Sequence, residues 1–486
     1  MKLSELTQHL WKASDIMRGA IDSGEYKQYI FALLFYRRLC DVWREDYNKK
    51  NAEKRFQIPS HAMWGPDPQG KLQTLRTHKA NLGQQINRSL TAIENANPLL
   101  KGIFQDVNFG NSQRFSNALL GQLLDHFEKY PLGRKDVSPH LLGDAYEYLI
   151  KQFADDAGTK GGEFYTPAEV VRLIVEILDP QPNTTVYDPT CGSGGMLLET
   201  VSHLRRHGHD ETTLRLYGQE KNINTWSICR IALFLHEIDN ATIQLGDTIL
   251  SPKLLHENRL QQFDMVIANP PFSLKKWGYE SWKKQGDPYN RHKYGLPPKG
   301  YGDFAFVTHM LESLKPNGKM GVVLPNGILF RGGAEYHIRK AIVDADVIDT
   351  IVSLGVNLFY GASIPACIIF VNKNKPSHKK GKILLVNAEK EFVSGTAQNH
   401  LGPKNIEKIV AAVNNHEDVP YFARIVSKKD ISEQDYNLNV IRYVKNTPPP
   451  PPIDVSQVYQ EIQHLRSKLH SKEQQLAMLM TELGYE

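Results

Sequence analysis

The chain has 486 residues, 41% hydrophobic and 23% charged, with a net charge of +5. This length favours two or three domains and a sizeable core, and the composition is that of an ordinary globular protein. The mild charge permits a polyanionic partner without establishing one, and four cysteines (Cys40, Cys191, Cys229 and Cys367) without a CxxC pair suggest neither a zinc site nor a disulfide framework, so no metal is expected.

From Leu3 to about Leu149 the apolar residues recur at helical spacing. LSELTQHLWKASDIMRGA and the more apolar EYKQYIFALLFYRRLCDVW are two helices, and Gly65-Pro66-Asp67-Pro68 marks a loop. VSPHLLGDAYEYLIKQFAD is a further helix, with Ser138 as N-cap and Pro139 in its first turn. An all-helical domain over 1–155 is expected. The polar N-terminus and the lack of a long apolar run predict neither signal peptide nor membrane span. Reduced cysteines fit a cytoplasmic protein.

From about Lys160 short apolar runs alternate with helical stretches. TTVYDP, LRLYGQE, ATIQLGD, FDMVIANPP, KMGVVLPNG and VIDTIVSL read as strands. EVVRLIVEIL, GGMLLETVSHLRRH, TWSICRIALFLHEI and FAFVTHMLESL read as the helices between them. Such alternation implies an α/β domain, a mostly parallel sheet covered on both faces. PACIIFVNK and KILLVNA, joined by a short basic connection, suggest an antiparallel hairpin at one end. Five prolines, Pro448 to Pro452, predict a stiff linker over 446–452. Beyond it Val455, Val458, Ile462, Leu465, Leu469, Leu476, Leu479 and Leu483 fall at alternating steps of three and four, with Lys472 in the one missing place. That is a heptad seam, and residues 453–486 are expected to form a coiled-coil-like helix for a partner subunit.

The first strand runs into Asp188-Pro189-Thr190-Cys191-Gly192-Ser193-Gly194-Gly195. A glycine-rich turn between strand and helix lets the backbone approach a ligand at the sheet's C-terminal edge. A dinucleotide fingerprint needs a third glycine where Leu197 stands, and Asp188 would repel a pyrophosphate. A cationic cofactor without phosphate, S-adenosylmethionine, fits better. Glu220, ending the second strand, is placed to accept from a ribose diol, and Asp247, ending the third, from an adenine amino group. Upstream, Glu163-Phe164-Tyr165-Thr166-Pro167 leads into a helix, with Thr166 as a candidate N-cap and loop N–H groups able to hold a carboxylate.

The fourth strand ends in Asn269-Pro270-Pro271-Phe272. An exocyclic amine on a base is a poor nucleophile because its lone pair is delocalised. Two acceptors aimed at its N–H groups, Asn269 Oδ1 and the Pro270 carbonyl, free that lone pair. Phe272 can stack on the base, which must first leave the duplex. The prolines remove freedom from the acceptor carbonyl.

DPTCGSGG followed by NPPF resembles the gamma-order N6-adenine DNA methyltransferases. The chain as a whole resembles the modification subunit of type I restriction-modification enzymes. LWKASDIMRGAIDSGEYKQYIFALLF, GGEFYTPAEVVRLIV, YGQEKN, GDTI, VLPNGILFRGG, LGVNLF and YNLNVIRYV carry this likeness over nearly the full length. It implies a Rossmann-like methyltransferase domain over 156–445 that uses S-adenosylmethionine and acts on adenine in double-stranded DNA. It also implies two modification subunits working with one specificity subunit, joined by a restriction subunit. Asn269 and Phe272 match the catalytic motif. Asp188, Gly192 and Gly194 match the cofactor loop, with Glu220 and Asp247 beyond it. Residues 163–167 match the stretch that holds the cofactor's methionine end.

Between Lys275 and Lys299 lies KKWGYESWKKQGDPYNRHKYGLPPK, basic and aromatic, beside NPPF. It is expected to fold over DNA as a lid, with phosphate contacts and base stacking. No separate base-reading domain and no GxxxxGK[ST] are present, so sequence choice and translocation are expected to come from other subunits. An amine methyltransferase acting on RNA or on a protein glutamine, and a catalytically idle scaffold, remain open alternatives. A dehydrogenase leaves NPPF without a use.

Overall fold

The computed structural model describes residues 2–21, 25–47, 55–68, 70, 75, 81–157, 166–359, 364–396, 398–448 and 454–485. The chain starts with five helices, α1 (Leu3–Met17), α2 (Tyr26–Tyr47), α3 (Leu82–Ala96), α4 (Asn117–Glu128) and α5 (Pro139–Ala157). Ser138 Oγ accepts from the Leu141 N–H at 3.2 Å, so the expected cap is present. The alternating part comprises α6 (Ala168–Leu178), β1 (Thr185–Asp188), α7 (Gly195–Arg206), β2 (Arg215–Glu220), α8 (Ile223–Leu235) and β3 (Ala241–Leu245). A two-stranded excursion, β4 (Leu255–His256) and β5 (Arg259–Leu260), precedes β6 (Phe263–Ala268), α9 (Tyr279–Gln285), α10 (Asp303–Glu312) and β7 (Leu314–Pro325). Then come α11 (Ala334–Asp344), β8 (Ile348–Leu354), β9 (Ala366–Asn372), β10 (Lys382–Ala388), α12 (Pro403–Asn415), β11 (Ala423–Ser427), α13 (Lys428–Glu433) and α14 (Val455–Glu482).

Among the described residues the main sheet has nine strands in the order β11-β10-β8-β9-β7-β6-β1-β2-β3. The run from β7 to β3 is parallel throughout, so the C-terminal ends of these strands share one edge. Strand residues alternate between two cores, as the two-residue period requires. Val186, Met265, Ile267 and Ile368 face one core, with Leu173 and Ile174 of α6. Tyr187, Val266, Ala268 and Ile369 face the other, with Phe304 of α10 and Ile338 of α11. The first core continues into Leu6, Phe31, Phe35 and Tyr146, so the N-terminal helices close that face rather than forming a separate body. Met1–Asn446 is one compact unit and Thr447–Glu486 another.

Two local expectations are corrected. The runs 366–372 and 382–388 do not pair with each other. β9 lies antiparallel between β7 and β8, while β10 pairs β8 in parallel and β11 antiparallel. Antiparallel pairing at the C-terminal end is present, between other partners. Helix α6 begins at Ala168 with Pro167 as N-cap, and Thr166 caps nothing. The prolines 449–452 lie outside the described residues. Helix α14 is capped by Asp454, which accepts from the Gln457 N–H at 3.1 Å, and its entire heptad seam is exposed. No described helix is long and apolar enough to cross a membrane.

Candidate active site

The parallel strands β3, β2, β1 and β6 bring Asp247, Glu220, Asp188 and Asn269 to one edge in that order. Between β1 and α7 the chain turns on Gly192 (φ 54°) and Gly194 (φ 91°), conformations that suit glycine. A Cβ on Gly194 would stand 2.9 Å from Cys229 Sγ, and one on Gly218 would stand 2.9 Å from Cys191 Sγ. At Gly194 the loop is thus packed against α8, and at Gly218 β2 is packed against the loop, with no room for a side chain at either glycine. Cys191 itself is buried beneath the loop, and its N–H bonds the Gln219 carbonyl at 3.2 Å.

Asp188 is 2% exposed. Its Oδ1 accepts from the Thr190 N–H at 2.9 Å. Burial, opposed by that bond and reinforced by nearby Glu220, pushes its carboxyl up to about 8. Glu220 Oε2 accepts from the Gly192 N–H at 3.1 Å and Oε1 from the Asn222 N–H at 2.6 Å. Burial raises this carboxyl too, against the pull of those N–H groups. Glu220 therefore splints the glycine loop to the end of β2. Asp247 stands at its expected strand end, but Oδ1 accepts from the N–H groups of Ile249 and Leu250, both at 2.9 Å. Its Oδ2 meets Lys221 Nζ at 2.8 Å. Thr190 Oγ1 is buried with no hydrogen-bond partner. Thr248 Oγ1 donates to the Pro189 carbonyl at 2.5 Å, tying the turn after β3 to the loop.

On the neighbouring strand, Asn269 Nδ2 donates to Thr166 Oγ1 at 2.9 Å. Its Oδ1 is buried and has no partner. A buried acceptor left unmet costs on the order of 1–3 kcal/mol, so it marks a place where a donor is due. Pro270 is buried and Pro271 exposed. Phe272 is half-buried, its ring edge-on to Phe359 at 5.8 Å. Ser273 follows at φ 52°, and its N–H donates to Asp303 Oδ1 at 2.8 Å. Glu163, Phe164 and Tyr165 lie outside the described residues.

Two residues escaped the sequence reading. Asp303 is 1% exposed at the start of α10 and holds the turn after Phe272. Burial raises its carboxyl. The Gly302-Asp303 pair before a helix signalled only a helix start. Asn326, in the turn after β7, carries a second buried acceptor without partner, Oδ1. The proline before it marked the strand end but not the vacancy.

The 275–299 segment is folded tightly. Trp277 and Trp282 are buried with Ile249, Ala305 and Phe306, and so are not free to stack on bases. Trp277 Nε1 donates to the Pro298 carbonyl at 3.0 Å, stapling the segment's two ends. Arg291 is buried, its Nη2 2.6 Å from Asp287 Oδ1, beside the Trp282 ring. Its Nη1 lies 3.3 Å from His309 Nδ1, and His309 Nε2 lies 3.0 Å from the Tyr187 hydroxyl on β1. Lys275, Lys276, Lys283, Lys284 and Lys299 remain exposed.

A parallel sheet with a reversed strand beside β7, a glycine loop after β1 and a strand-end NPPF together define an α/β methyltransferase. The N-6 DNA Methylase family model matches residues 137–449, and the HsdM N-terminal domain matches residues 6–127. The Methanocaldococcus jannaschii type I restriction enzyme MjaVII methylase subunit is 33% identical over 95% of this chain and 82% of its own. The Mycoplasma pneumoniae MpnII methylase subunit is 31% identical over 94% of this chain and 92% of its own. The solved type I restriction-modification methyltransferase subunit from Streptococcus thermophilus superposes with a TM-score of 0.78 at 30% identity, covering 92% of this chain and all of that one. The chain belongs to the N-6 DNA methylases. Within that family it is a type I restriction enzyme methylase subunit, an adenine-N6 DNA methyltransferase.

Proposed function

We propose that this edge binds S-adenosylmethionine over β1–β3 and a flipped adenine over β6, and joins the two at the NPPF turn. The observation that carries the reading is the buried, unpartnered Oδ1 of Asn269, one strand away from the glycine loop. The residues present fit the cofactor. Gly192 and Gly195 leave backbone open to a ligand and buried Gly194 makes the tight turn between them, with Cys191 and Ser193 as the turn's spacers. Thr190 Oγ1 offers an unused polar atom. Asp188 favours a cation, and a cation beside it lowers its raised carboxyl. Each Glu220 oxygen keeps a lone pair for a diol. Asp247 reaches the cofactor's adenine through Oδ2 once Lys221, 69% exposed, swings aside. Residues 163–167 hold the methionine end.

S-adenosylmethionine supplies an electrophilic methyl on a sulfonium. The protein's part is to make adenine N6 nucleophilic. Asn269 Oδ1 and the Pro270 carbonyl accept the two N6 protons in hydrogen bonds and favour a tetrahedral nitrogen. Pro271 stiffens the turn and Phe272 supports the base. After transfer N6 sheds one proton to water.

By task the chain divides into helices over 1–155, a catalytic region over 156–445, a linker over 446–452 and an assembly helix over 453–486. The exposed seam of α14 supports assembly with a specificity subunit, two methylase subunits to one, and with a restriction subunit, in the cytoplasm. Transfer of labelled methyl to DNA, by the chain alone and with the specificity subunit, tests the whole reading. N6-methyladenine formed only with the partner is expected; methylation of RNA or protein overturns the substrate, and methylation by the chain alone overturns the borrowed specificity. Deleting 453–486 is expected to abolish co-purification with the specificity subunit while leaving the thermal midpoint of the rest unchanged.

A further inference from the structure

Away from the sheet edge, the C-terminal halves of α6 and α7 carry a cluster that the methyl-transfer reaction does not use. One donor atom each from Glu176, His203 and His207 lies within 4.8 Å of the other two. His203 on α7 and His207 at its C-cap are four residues apart, a spacing that puts the two imidazoles on one side of the helix end. Their rings stand 4.2 Å apart.

The hydrogen bonds around the cluster leave its lone pairs directed inward. His203 Nε2 lies 2.9 Å from Asp179 Oδ1, so Nε2 carries a proton and donates it to that carboxylate in a hydrogen bond. In the neutral ring His203 Nδ1 then carries the lone pair. The side chain is 2% exposed, and Nδ1 has no hydrogen-bond partner. It faces Glu176 Oε2 at 3.5 Å, a separation that a metal cation held by both atoms can span, as can a proton on Nδ1. His207 Nδ1 lies 2.9 Å from the His203 carbonyl, which fixes its proton there and frees Nε2. Glu176 Oε1 is held by Arg206 Nη2 at 3.0 Å, leaving Oε2 for the cluster. An imidazole that donates one N–H to a carboxylate and offers the other nitrogen to a shared point is the usual arrangement of a metal ligand and its supporting shell. Asp179 plays that supporting part from a left-handed cap (φ 49°) that ends α6.

We propose that Glu176, His203 and His207 form a binding site for a first-row divalent cation of the zinc class, with Asp179 orienting His203. Two imidazoles and one carboxylate suit Zn²⁺, Co²⁺ or Ni²⁺ and leave a position for water. Helix α6 starts beside Thr166 and α7 starts at Gly194, so an ion between their far ends braces both helices that frame the cofactor edge. The site has a structural role and takes no part in methyl transfer.

The test is titration of the metal-stripped full chain with Co²⁺, read by its visible absorption, with Zn²⁺ competition. The expected result is a saturable tetrahedral-type Co²⁺ spectrum, displaced by Zn²⁺ and lost in His203→Ala and in His207→Ala. His207 is exposed, so His207→Ala keeps the fold and separates loss of a ligand from loss of structure. Asp179→Asn is expected to weaken binding roughly 10–100-fold without removing the spectrum. Zn²⁺ is expected to raise the thermal midpoint of the wild type and not of His207→Ala. A wild type that binds Co²⁺ no better than His207→Ala, or with only an octahedral aqua-like spectrum, overturns the proposal.

Discussion

The two halves of the sheet edge are built in opposite ways. Over β1–β3 the carboxylates of Asp188, Glu220 and Asp247 are met by backbone N–H groups of the chain itself. Over β6 and β7 the amides of Asn269 and Asn326 each keep a buried oxygen without partner. The carboxylates of the first half are thus satisfied within the chain, leaving the buried Thr190 Oγ1 without a partner. In the second half the acceptors have no partner within the chain, and on the proposed reading a substrate supplies the donors. A cofactor that must stay through the reaction suits the first design. A base that must enter, react and leave suits the second.

The sharpest way to break this contrast is Asn269→Ala. Methyl transfer is expected to fall by about 10²–10³ or more while the cofactor dissociation constant stays unchanged, read by single-turnover transfer beside calorimetry. Equal losses in both would erase the distinction between the halves. Asp188→Ala should act the other way. Cofactor affinity is expected to drop about ten- to a hundredfold, with most of the transfer rate recovered at saturating cofactor.

Asp303 refines the comparison, because it shapes the acceptor half from below. Asp303→Ala removes the acceptor for the Ser273 N–H and is expected to lower kcat about tenfold with cofactor affinity intact. Asp303→Asn keeps that acceptor and should restore most of the rate. A final expected effect is on stability. The Asp188 carboxyl is raised to about 8 in the folded chain, against about 3.9 unfolded, so the folded state binds more protons between these values. Its contribution is present below pH ~4 and is lost as pH rises through about 8. Urea midpoints of the unliganded chain should therefore fall across that range, and the fall should be shallower in Asp188→Asn.

Much of this was legible in the sequence, for a physical reason. FDMVIA followed by two prolines cannot continue a ladder, so the strand end and its rigid turn were readable at once. Glycines flanking an acidic strand end signalled a ligand in the same way. Periodicity reports which face of an element is buried, but not which strand lies beside which. Hence β9 and β10 were seen as strands and assigned to each other, although β9 turns back between β7 and β8. Thr166 looked like a cap because Thr-Pro before a helix usually is one. Its hydroxyl is instead used by Asn269, which lies 103 positions later. Trp277 and Trp282 read as surface aromatics because basic residues surround them, whereas the fold turns the indoles inward and leaves the lysines outside. The vacant acceptor of Asn326 had no sequence signal.

The chain from Tyr187 through His309 and Arg291 to Asp287 has a mechanical meaning. It fastens the segment beside NPPF to α10 and β1 through the Arg291–His309–Tyr187 contacts and two buried indoles, with Arg291 itself held by Asp287 within the segment. Exposing the two indoles on opening would cost about 1.5–3 kcal/mol each, too much for a flap that swings with every turnover. The segment is a fixed jamb rather than a door. The work of bringing a base past it then falls on the duplex, whose own stiffness at each step becomes part of what the enzyme selects.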